Sequence, residues 1–294
     1  MSAMQKLRNA WAQGKYLCVG LDLDTAKLPP SLLPGSSHSN YERLLVFATE
    51  IIKHTESIAA AYKPNLQYFL GLEVQHMGGI NLLREVMDAI REHAPGALII
   101  LDGKWGDIGD TNEQSAAFAF DVNGMNADAV TVSPYVGGEA LKPFFRPDKM
   151  AFVLARTSNP GAGEFQDRLV APDQTLYQEV AEAVATDWNL NQNLGLVAGA
   201  TAPQEIRNIR HLALSLPILV PGVGKQGGDL EAAVDAARFR DADGRPHNGG
   251  FLVNVSRSLL YASNGSDYVD AAIQCAMGVH SQIVIELAEG RGRH

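Results

Sequence analysis

Residues 97–104 read ALIILDGK, an apolar run that ends in an aspartate, a glycine and a lysine. Near-continuous hydrophobicity of this kind, rather than strict alternation, is expected of a parallel strand that is covered on both faces. Similar runs elsewhere in the chain predict further strands of the same type. They are LCVGLD from Leu17, IAAAYKP from Ile58, ADAVTVSP from Ala127, AFVLARTS from Ala151, LGLVAGAT from Leu194, PILVPGVG from Pro217 and GFLVNVS from Gly250.

Amphipathic segments separate these strands, and their apolar residues recur at helical spacing. The clearest examples are residues 41–54, 80–93, 175–188 and 203–214. Strands and helices alternate to the end of the chain, and no Pro/Ser-rich or highly charged linker interrupts them. We therefore expect one α/β domain over residues 1–294, a single (β/α)₈ TIM barrel with an additional N-terminal helix. A doubly wound open sheet is the alternative fold.

The composition indicates a globular protein and argues against nucleic acid as its partner. Of the 294 residues, 46% are hydrophobic and 19% are charged, which is too apolar for a disordered chain. The formal net charge is −9. Because an acidic protein repels a nucleic-acid backbone, any bound anion needs a local basic site.

Cysteines, histidines and the N-terminal residues predict the compartment. Cys18 and Cys275 belong to no CxxC or Cys/His motif, so we expect two buried free thiols in a reducing environment. The first residues lack the apolar centre of a signal peptide, and no run of about 18 apolar residues predicts a membrane span. The histidines form no i, i+4 pair and no HExxH motif, which argues against a histidine-built metal site. We expect a cytoplasmic protein without membrane contact.

Charged residues cluster at the ends of two neighbouring predicted strands. Asp102 and Lys104 end the third strand and should point into the same barrel mouth, because side chains alternate along a strand. Asp107 follows in the next loop. Lys63 ends the second strand, which lies beside the third in a barrel, so the four residues predict an alternating lysine and aspartate array.

This array has two interpretations, a salt-bridge network that closes the barrel end or a catalytic site. Two further segments favour the catalytic site. PGVGKQGGD at residues 221–229 follows the seventh strand, and Arg257 follows the eighth. Barrel enzymes commonly hold phosphate in these two loops, with backbone N–H groups that glycine exposes and with a cation. The sequence therefore predicts a phosphorylated substrate whose reactive part lies at the opposite side of the mouth.

Residues 159–174 form one of the longest predicted loops and are rich in Gly, Pro, Asp and Gln. A lid over the mouth is the functional interpretation of this segment, and a solvated insertion is the alternative.

The order of these residues resembles the orotidine 5′-monophosphate decarboxylase family, in particular its longer bacterial branch. The hallmark of the family is DxKxxDI followed by threonine, which the chain carries from Asp102 through Ile108 to Thr111. Ser256 departs from the pattern, since many members have glycine before the phosphate-binding arginine. The other matching residues occur in the expected order along the chain and are Asp22, Lys63, Asn65, Ser158, Pro221, Gln226 and Arg257.

The resemblance implies a cofactor-independent enzyme that converts orotidine 5′-monophosphate to uridine 5′-monophosphate (UMP) and CO₂, with no metal. It implies that Lys104 protonates C6 after CO₂ leaves, that Asp102 lies against the departing carboxylate, and that Lys63 orients and neutralises the array. Asp107, with Ile108 and Thr111, is expected to enter the site of a neighbouring subunit, which implies a homodimer with shared active sites.

Substrate-binding roles follow from the same resemblance. Asp22 and Lys63 are expected to hydrogen-bond the ribose hydroxyls, and Ser158 the amide edge of the pyrimidine. The phosphate is expected to be held by Gln226 and Arg257. Asn65 and Pro221 complete the predicted substrate-binding set.

Three rival functions deserve comparison. A sugar-phosphate decarboxylase or hexulose-phosphate synthase on the same barrel uses Mg²⁺ and needs a carboxylate on the second strand, where this chain has Lys63. A Schiff-base aldolase needs a desolvated neutral lysine, whereas carboxylates flank Lys104. A non-catalytic nucleotide-binding regulator would have no need to keep a complete catalytic set.

Overall fold

The computed structural model describes residues 1–32, 38–224, 227–241 and 247–289. Within these residues, eight parallel strands close into a barrel. The strands are β1 (Leu17–Leu21), β2 (Ala59–Pro64), β3 (Leu98–Trp105), β4 (Ala129–Val132), β5 (Met150–Arg156), β6 (Leu194–Ala198), β7 (Ile218–Val220) and β8 (Phe251–Val255).

Strand β1 shows that the barrel is closed. Leu17 pairs with Ala59 of β2 on one side and with Val253 of β8 on the other. In an open sheet the first and last strands would lie apart or at an edge, so the predicted (β/α)₈ barrel is confirmed and the open doubly wound sheet is wrong.

The burial of the strands explains why their sequences are apolar. β1, β4, β6 and β8 are buried along their whole length, as expected for strands between a filled barrel and a layer of helices. β3 is buried as far as Asp102 and becomes exposed at Lys104. The change from buried to exposed side chains marks the barrel mouth.

Helices cover the outside of the barrel. Residues predicted from apolar periodicity become α2 (Asn40–Thr55), α4 (Gly79–His93), α7 (Leu176–Ala183) and α8 (Pro203–Leu212). Helix α7 continues as a π-helical turn over Val184–Trp188. Ser39 and Glu42 form a capping box that begins α2. The helices are α1 (Ala3–Ala12), α2 (Asn40–Thr55), α3 (Leu66–Val74), α4 (Gly79–His93), α5 (Gly109–Phe120), α6 (Gly137–Leu141), α7 (Leu176–Ala183), α8 (Pro203–Leu212), α9 (Leu230–Ala237), α10 (Arg257–Leu260) and α11 (Tyr268–Glu289).

The additional N-terminal helix packs at the end of the barrel opposite the mouth. The indole N–H of Trp11 in α1 donates to the carbonyl oxygen of Phe251 at 2.9 Å, at the start of β8. Lys6 forms an ion pair at 2.8 Å with Asp128, just before β4. Both contacts involve the N-terminal ends of strands, so α1 covers the barrel base.

The segment after β5 is more regular than the predicted loop. It contains a 3₁₀ turn at Pro160–Glu164 and a short antiparallel pair of strands, Leu169–Ala171 with Gln174–Thr175. Arg156 holds it through a bidentate ion pair, Nε and Nη2 to the carboxylate of Asp167 at 2.7 and 3.0 Å. Such short strands have too few residues to show a periodic signal.

Two expectations from the sequence need correction. Cys18 is buried, but Cys275 on α11 is only partly buried: it packs against the core, and its thiol donates to the carbonyl oxygen of Ser258 at 3.6 Å. Helix α11 is also long and apolar enough, by length and composition, to cross a membrane, although no such run was expected. Core helices of soluble proteins pass the same test, and α11 stacks Tyr268 on Phe47 of α2.

Candidate active site

A cavity of about 460 Å³ opens at the C-terminal ends of the barrel strands. This is the end at which (β/α)₈ barrels place their functional residues. The cavity also contains residues from β4, β5, β6 and β7 that the sequence did not single out, among them Thr131 and Leu154. The predicted site residues that line it are Asp22, Lys63, Asn65, Asp102, Lys104, Ser158, Pro221 and Arg257.

Lys63, Asp102 and Lys104 form a continuous ion-pair array in this cavity. The Nζ atom of Lys63 lies 2.6 Å from Oδ2 of Asp102, and the Nζ atom of Lys104 lies 2.6 Å from Oδ1. The side chains of Lys63 and Asp102 are 7% and 6% exposed, whereas that of Lys104 is 50% exposed. Lys104 is therefore the member of the array that is open to a ligand.

Opposite charges dominate the ionisation of the two buried members. Burial alone would raise the pKa of Asp102, but Lys63 and Lys104 outweigh burial and hold that pKa far below its usual range. Burial alone would lower the pKa of Lys63, but Asp102 and then Asp22 outweigh it and raise the pKa above its usual value. Both groups are consequently charged at neutral pH. Beneath them, burial raises the pKa of Cys18 to about 12, so this thiol stays protonated.

A hydroxyl group supports the array from the neighbouring strand. Thr131 of β4 is 2% exposed, and its Oγ1 donates to Oδ1 of Asp102 at 2.7 Å. The same Oγ1 accepts the backbone N–H of Lys104 at 3.0 Å. Threonine is common in strands of every kind, so its presence in β4 did not indicate a functional residue. The available clue was a polar residue within the buried run AVTV.

Arg257 and the loop after β7 form the other side of the cavity. Arg257 is the first residue of α10 and follows Ser256 at the end of β8. Gly222 and Gly224 have φ angles of 98° and 83°, a left-handed backbone that glycine adopts without strain. Gln226, which was predicted to contact phosphate, lies outside the described residues.

Ser256 fits where many relatives of the predicted family have glycine, because β1 has a glycine opposite it. A Cβ atom on Gly20 would lie 2.7 Å from Cβ of Ser256, so the absence of a side chain at Gly20 leaves room for the serine. The Oγ atom of Ser256 is buried, with no hydrogen-bond partner within the described residues. The Oδ1 atom of Asp22, in the same cavity, is likewise buried without a partner in that part of the chain.

The predicted partner-facing residues do not line the cavity of their own chain. Asp107, Ile108 and Thr111 are exposed, and Ile108 is 70% exposed. The buried Asn112 fixes the backbone at Asp107: its Oδ1 accepts the N–H of Asp107 at 3.1 Å, and its Nδ2 donates to the carbonyl oxygen of Asp107. The loop is thus an ordered, outward-facing element of the single chain.

The chain is similar to a family of known decarboxylases. Its sequence matches the model of the orotidine 5′-phosphate decarboxylase / HUMPS family over residues 15–272. The orotidine 5′-phosphate decarboxylase of Azoarcus sp. (strain BH72) is 41% identical over 96% of this chain and 98% of the relative. The protein of that name from Herpetosiphon aurantiacus is 42% identical over 93% of this chain and 94% of the relative.

A solved structure agrees with these sequence matches. The structure of Leishmania donovani OMP decarboxylase superposes with a TM-score of 0.76 and 37% identity, covering 97% of this chain and 99% of that one. The family model spans both decarboxylase and HUMPS members, whereas both sequence relatives and the solved structure bear the decarboxylase name. The chain therefore belongs to the orotidine 5′-phosphate decarboxylase family and is a decarboxylating enzyme.

Proposed function

We propose that this enzyme removes CO₂ from orotidine 5′-monophosphate and forms UMP, the last step of de novo synthesis of this nucleotide. The observation that carries the proposal is the buried array of Lys63, Asp102 and Lys104, with Arg257 lining the same cavity. The cavity volume of about 460 Å³ suits a mononucleotide, since small-molecule sites commonly measure about 300 to 1,000 Å³.

Lys104 is the proposed proton donor. Loss of CO₂ breaks the bond between C6 and the carboxyl carbon and leaves the electron pair on C6. No adjacent carbonyl group delocalises that pair, so a preorganised cation must stabilise the charge as it develops. The ammonium group of Lys104 offsets this charge and then gives a proton to C6, and the resulting amine regains a proton from water. The half-exposed side chain of Lys104 can reach a ligand, whereas Lys63 is enclosed.

Asp102 is proposed to lie against the carboxylate that leaves. Its two oxygens accept hydrogen bonds from Lys63 and Lys104, which keep it ionised and fix its orientation. A substrate carboxylate beside it is repelled, and the repulsion ends when neutral CO₂ departs, so the contact favours the transition state over the bound substrate. Lys63 gives this three-residue array a net positive charge, because two ammonium groups face one carboxylate.

Arg257 is proposed to bind the phosphate, together with Gln226. Phosphate binding at this part of a barrel is common, and the adjoining loop turns through the left-handed Gly222 and Gly224, which have no side chain to cover the backbone. The phosphate lies far from C6, so its binding energy can be used to order the loop and exclude water from the reacting end.

The remaining residues of the cavity are proposed to hold the nucleoside. Oδ1 of Asp22, which has no hydrogen-bond partner in the described part of the chain, offers an acceptor for a ribose hydroxyl, with Lys63 in the same cavity. Ser158 is proposed to contact the amide edge of the pyrimidine. Asn65 and Pro221 line the same cavity and complete the proposed set.

Asp107, Ile108 and Thr111 are proposed to enter the active site of a second subunit. All three are exposed in the single chain, and Tyr135, in the loop after the neighbouring strand β4, is 94% exposed. Ile108 and Tyr135 are large exposed apolar side chains that such an interface would cover. In an isologous dimer through the two mouths, each chain contributes the same loop to the other.

Turnover of purified enzyme tests the proposal directly. Orotidine 5′-monophosphate should be converted stoichiometrically to UMP and CO₂, as followed by ultraviolet absorbance and chromatography. Sugar phosphates of the rival families should not react. Absence of any UMP from correctly folded enzyme would overturn the proposal.

Metal independence is part of the proposal. Lys63 occupies the place where the sugar-phosphate rivals need a magnesium-binding carboxylate, and its ammonium group repels a divalent cation. EDTA should leave turnover unchanged. Loss of turnover in EDTA and its recovery with Mg²⁺ would favour a HUMPS-type reaction.

Since the proposed substrate and product are small soluble nucleotides, we propose that the enzyme is located in the cytoplasm.

A further inference from the structure

We propose that Thr131 is a positioning residue that fixes both Asp102 and Lys104 in their reactive geometry. The inference rests on the proposed function, because it assigns Thr131 a task in the decarboxylation chemistry. Thr131 lies on β4, one strand away from the array, and belongs to none of the predicted motifs.

The hydroxyl oxygen of Thr131 links two groups, the main chain of Lys104 and the carboxylate of Asp102. Oγ1 of Thr131 receives the backbone N–H of Lys104 at 3.0 Å and donates to Oδ1 of Asp102 at 2.7 Å. The Nζ atom of Lys104 returns to the same Oδ1 at 2.6 Å. The contacts form a closed ring that contains both the main chain and the side chain of Lys104.

The direction of these hydrogen bonds follows from the atoms. A backbone N–H can only donate, so Oγ1 must accept from Lys104, and its single hydrogen is free for Asp102. Oδ1 of Asp102 is therefore an acceptor twice over, from a hydroxyl and from an ammonium group, while Oδ2 accepts from Lys63. This arrangement favours the ionised carboxylate and leaves it one orientation.

The backbone of Lys104 gives the second reason for a positioning role. Its φ angle is 49°, in the left-handed region that a residue with a Cβ atom adopts only at a cost in free energy. Pairing of β3 with β4 is interrupted between Leu101 and Trp105, so the regular ladder does not hold this residue. The hydrogen bond to Thr131 is the contact that anchors its N–H.

The orientation of the Asp102 carboxylate and the anchoring of the Lys104 backbone are both in place before substrate binds. A lysine whose main chain and Nζ are already oriented loses little further freedom when charge develops on C6, which is the condition for strong electrostatic catalysis. Thr131 lines the cavity but is only 2% exposed, and its hydroxyl is engaged by Asp102 and by the N–H of Lys104, so it acts through these two residues rather than on the reacting atoms.

Valine and serine variants separate this role from packing. Thr131→Val keeps the branched shape and removes the hydroxyl, and it should lower kcat by about 10- to 100-fold, with KM changed by less than about threefold. Thr131→Ser keeps the hydroxyl and should retain most of the activity. Thr131→Ala serves as the second hydroxyl-free variant if valine impairs folding.

Thr55→Val provides the matched control. Thr55 is fully buried, and its Oγ1 donates to the carbonyl oxygen of Ile51 at 2.7 Å, at the end of α2 that leads to the base of β2. Its loss should lower the melting temperature without changing kcat. If Thr55→Val and Thr131→Val reduce kcat equally, the effect comes from general destabilisation and the inference fails.

Nuclear magnetic resonance gives a readout that does not depend on turnover. The backbone amide resonance of Lys104 should shift upfield in Thr131→Val and stay near its wild-type position in Thr131→Ser. A wild-type protein without decarboxylase activity would overturn the proposed function while this shift still reported the contact. An active wild type with Thr131→Val kcat within about threefold, or with Thr131→Ser as impaired as valine, would overturn the positioning role.

Discussion

The two ends of the barrel each contain a buried cation, and the two are neutralised differently. At the mouth, Lys63 pairs with the carboxylate of Asp102 at 2.6 Å. At the base, Arg210 of α8 donates to five backbone carbonyl oxygens, at distances of 2.6 to 3.2 Å. Those carbonyls belong to Ala213, Leu214, Leu216, Ala237 and Gly250.

The different partners of these two cations indicate that the mouth serves ligand binding and the base serves stability. The guanidinium group of Arg210 joins the ends of α8 and α9 to the starts of β7 and β8, and its donors are occupied by the chain itself. The mouth instead contains a half-exposed Lys104 and buried oxygens of Asp22 and Ser256 without partners in the described residues. Unused hydrogen-bonding capacity is costly unless a ligand satisfies it. The mouth is therefore built for a ligand and the base for the fold.

Loss of Lys104 should have the largest effect on activity. Lys104→Ala removes both the cation that offsets charge on C6 and the proton donor, so we expect kcat to fall by more than about 10⁴-fold. The side chain is half exposed, so the melting temperature should change little. Lys6→Ala is the matched control, because Lys6 pairs with Asp128 at the base, and it should keep full kcat. Activity of Lys104→Ala within about tenfold of wild type would disprove the proposed role.

Mixing two inactive variants should restore part of the activity if the sites are shared. Lys104→Ala and Asp107→Ala are each expected to be nearly inactive. In a mixed dimer one site combines the intact Lys104 of one chain with the intact Asp107 of the other, and the second site has both defects. Random exchange of equal amounts should thus restore about one quarter of the sites. No recovery, with exchange verified by native mass spectrometry, would mean that Asp107 serves its own chain.

Arg257→Ala should weaken catalysis at the phosphate side of the mouth. We expect kcat/KM for the nucleotide to fall by about 10²- to 10³-fold, and the phosphate-free nucleoside to be affected far less. Arg257→Lys keeps the charge and should lose less than alanine, because it lacks only the forked geometry. Equal losses for nucleotide and nucleoside would show that Arg257 does not bind the phosphate.

Most of the fold could be predicted from the sequence because buried parallel strands leave a strong signal. The eight apolar runs become the eight barrel strands, and Asp102 and Lys104 stand where the third run ends. The small antiparallel pair at Leu169–Ala171 was not predicted, since three residues show no periodicity. The closure of the barrel depends on strand pairing, which local sequence does not encode.

The site was only partly predictable for similar reasons. Strand alternation correctly placed Asp102 and Lys104 on one side, but the backbone at Lys104 is left-handed, so the actual geometry differs from regular alternation. Thr131 and Asn112 were not identified, because their importance lies in hydrogen bonds to other elements or to main chain; the one clue to Thr131 was a polar residue within a buried apolar run. Whether Asp107 reaches a second subunit stays a prediction.

Loss of Arg210 should affect stability rather than chemistry. Arg210→Met leaves several buried carbonyl groups unpaired, so we expect the free energy of unfolding to fall by about 3 kcal/mol or more. The kcat of the folded enzyme should remain close to wild type. Arg207→Met is the matched control on the same helix, because Arg207 forms a partly exposed pair with Asp235, and it should cost less than about 1 kcal/mol. Chemical denaturation measures both; a large loss of kcat in folded Arg210→Met would contradict the separation of base and mouth.

The smallest expected effect is that of moderate acid on kcat. Lys63 and Lys104 hold the pKa of Asp102 below its unfolded value of about 4, so its contribution to stability is present above that pH and is lost as pH falls through the lower folded value. Asp102 and Asp22 raise the pKa of Lys63, so its contribution to stability is present below about pH 10 and is lost only as pH rises through the higher folded value.

Between about pH 7 and pH 5 neither Asp102 nor Lys63 titrates, and kcat should stay constant within about twofold. The substrate phosphate has a second pKa of about 6, so kcat/KM should decline over the same interval. Steady-state kinetics at each pH, with circular dichroism to verify folding, distinguishes the two parameters. If kcat also declines between about pH 7 and pH 5, a group of the array gains a proton in this range. That result would contradict the ion pairs between Asp102 and the two lysines.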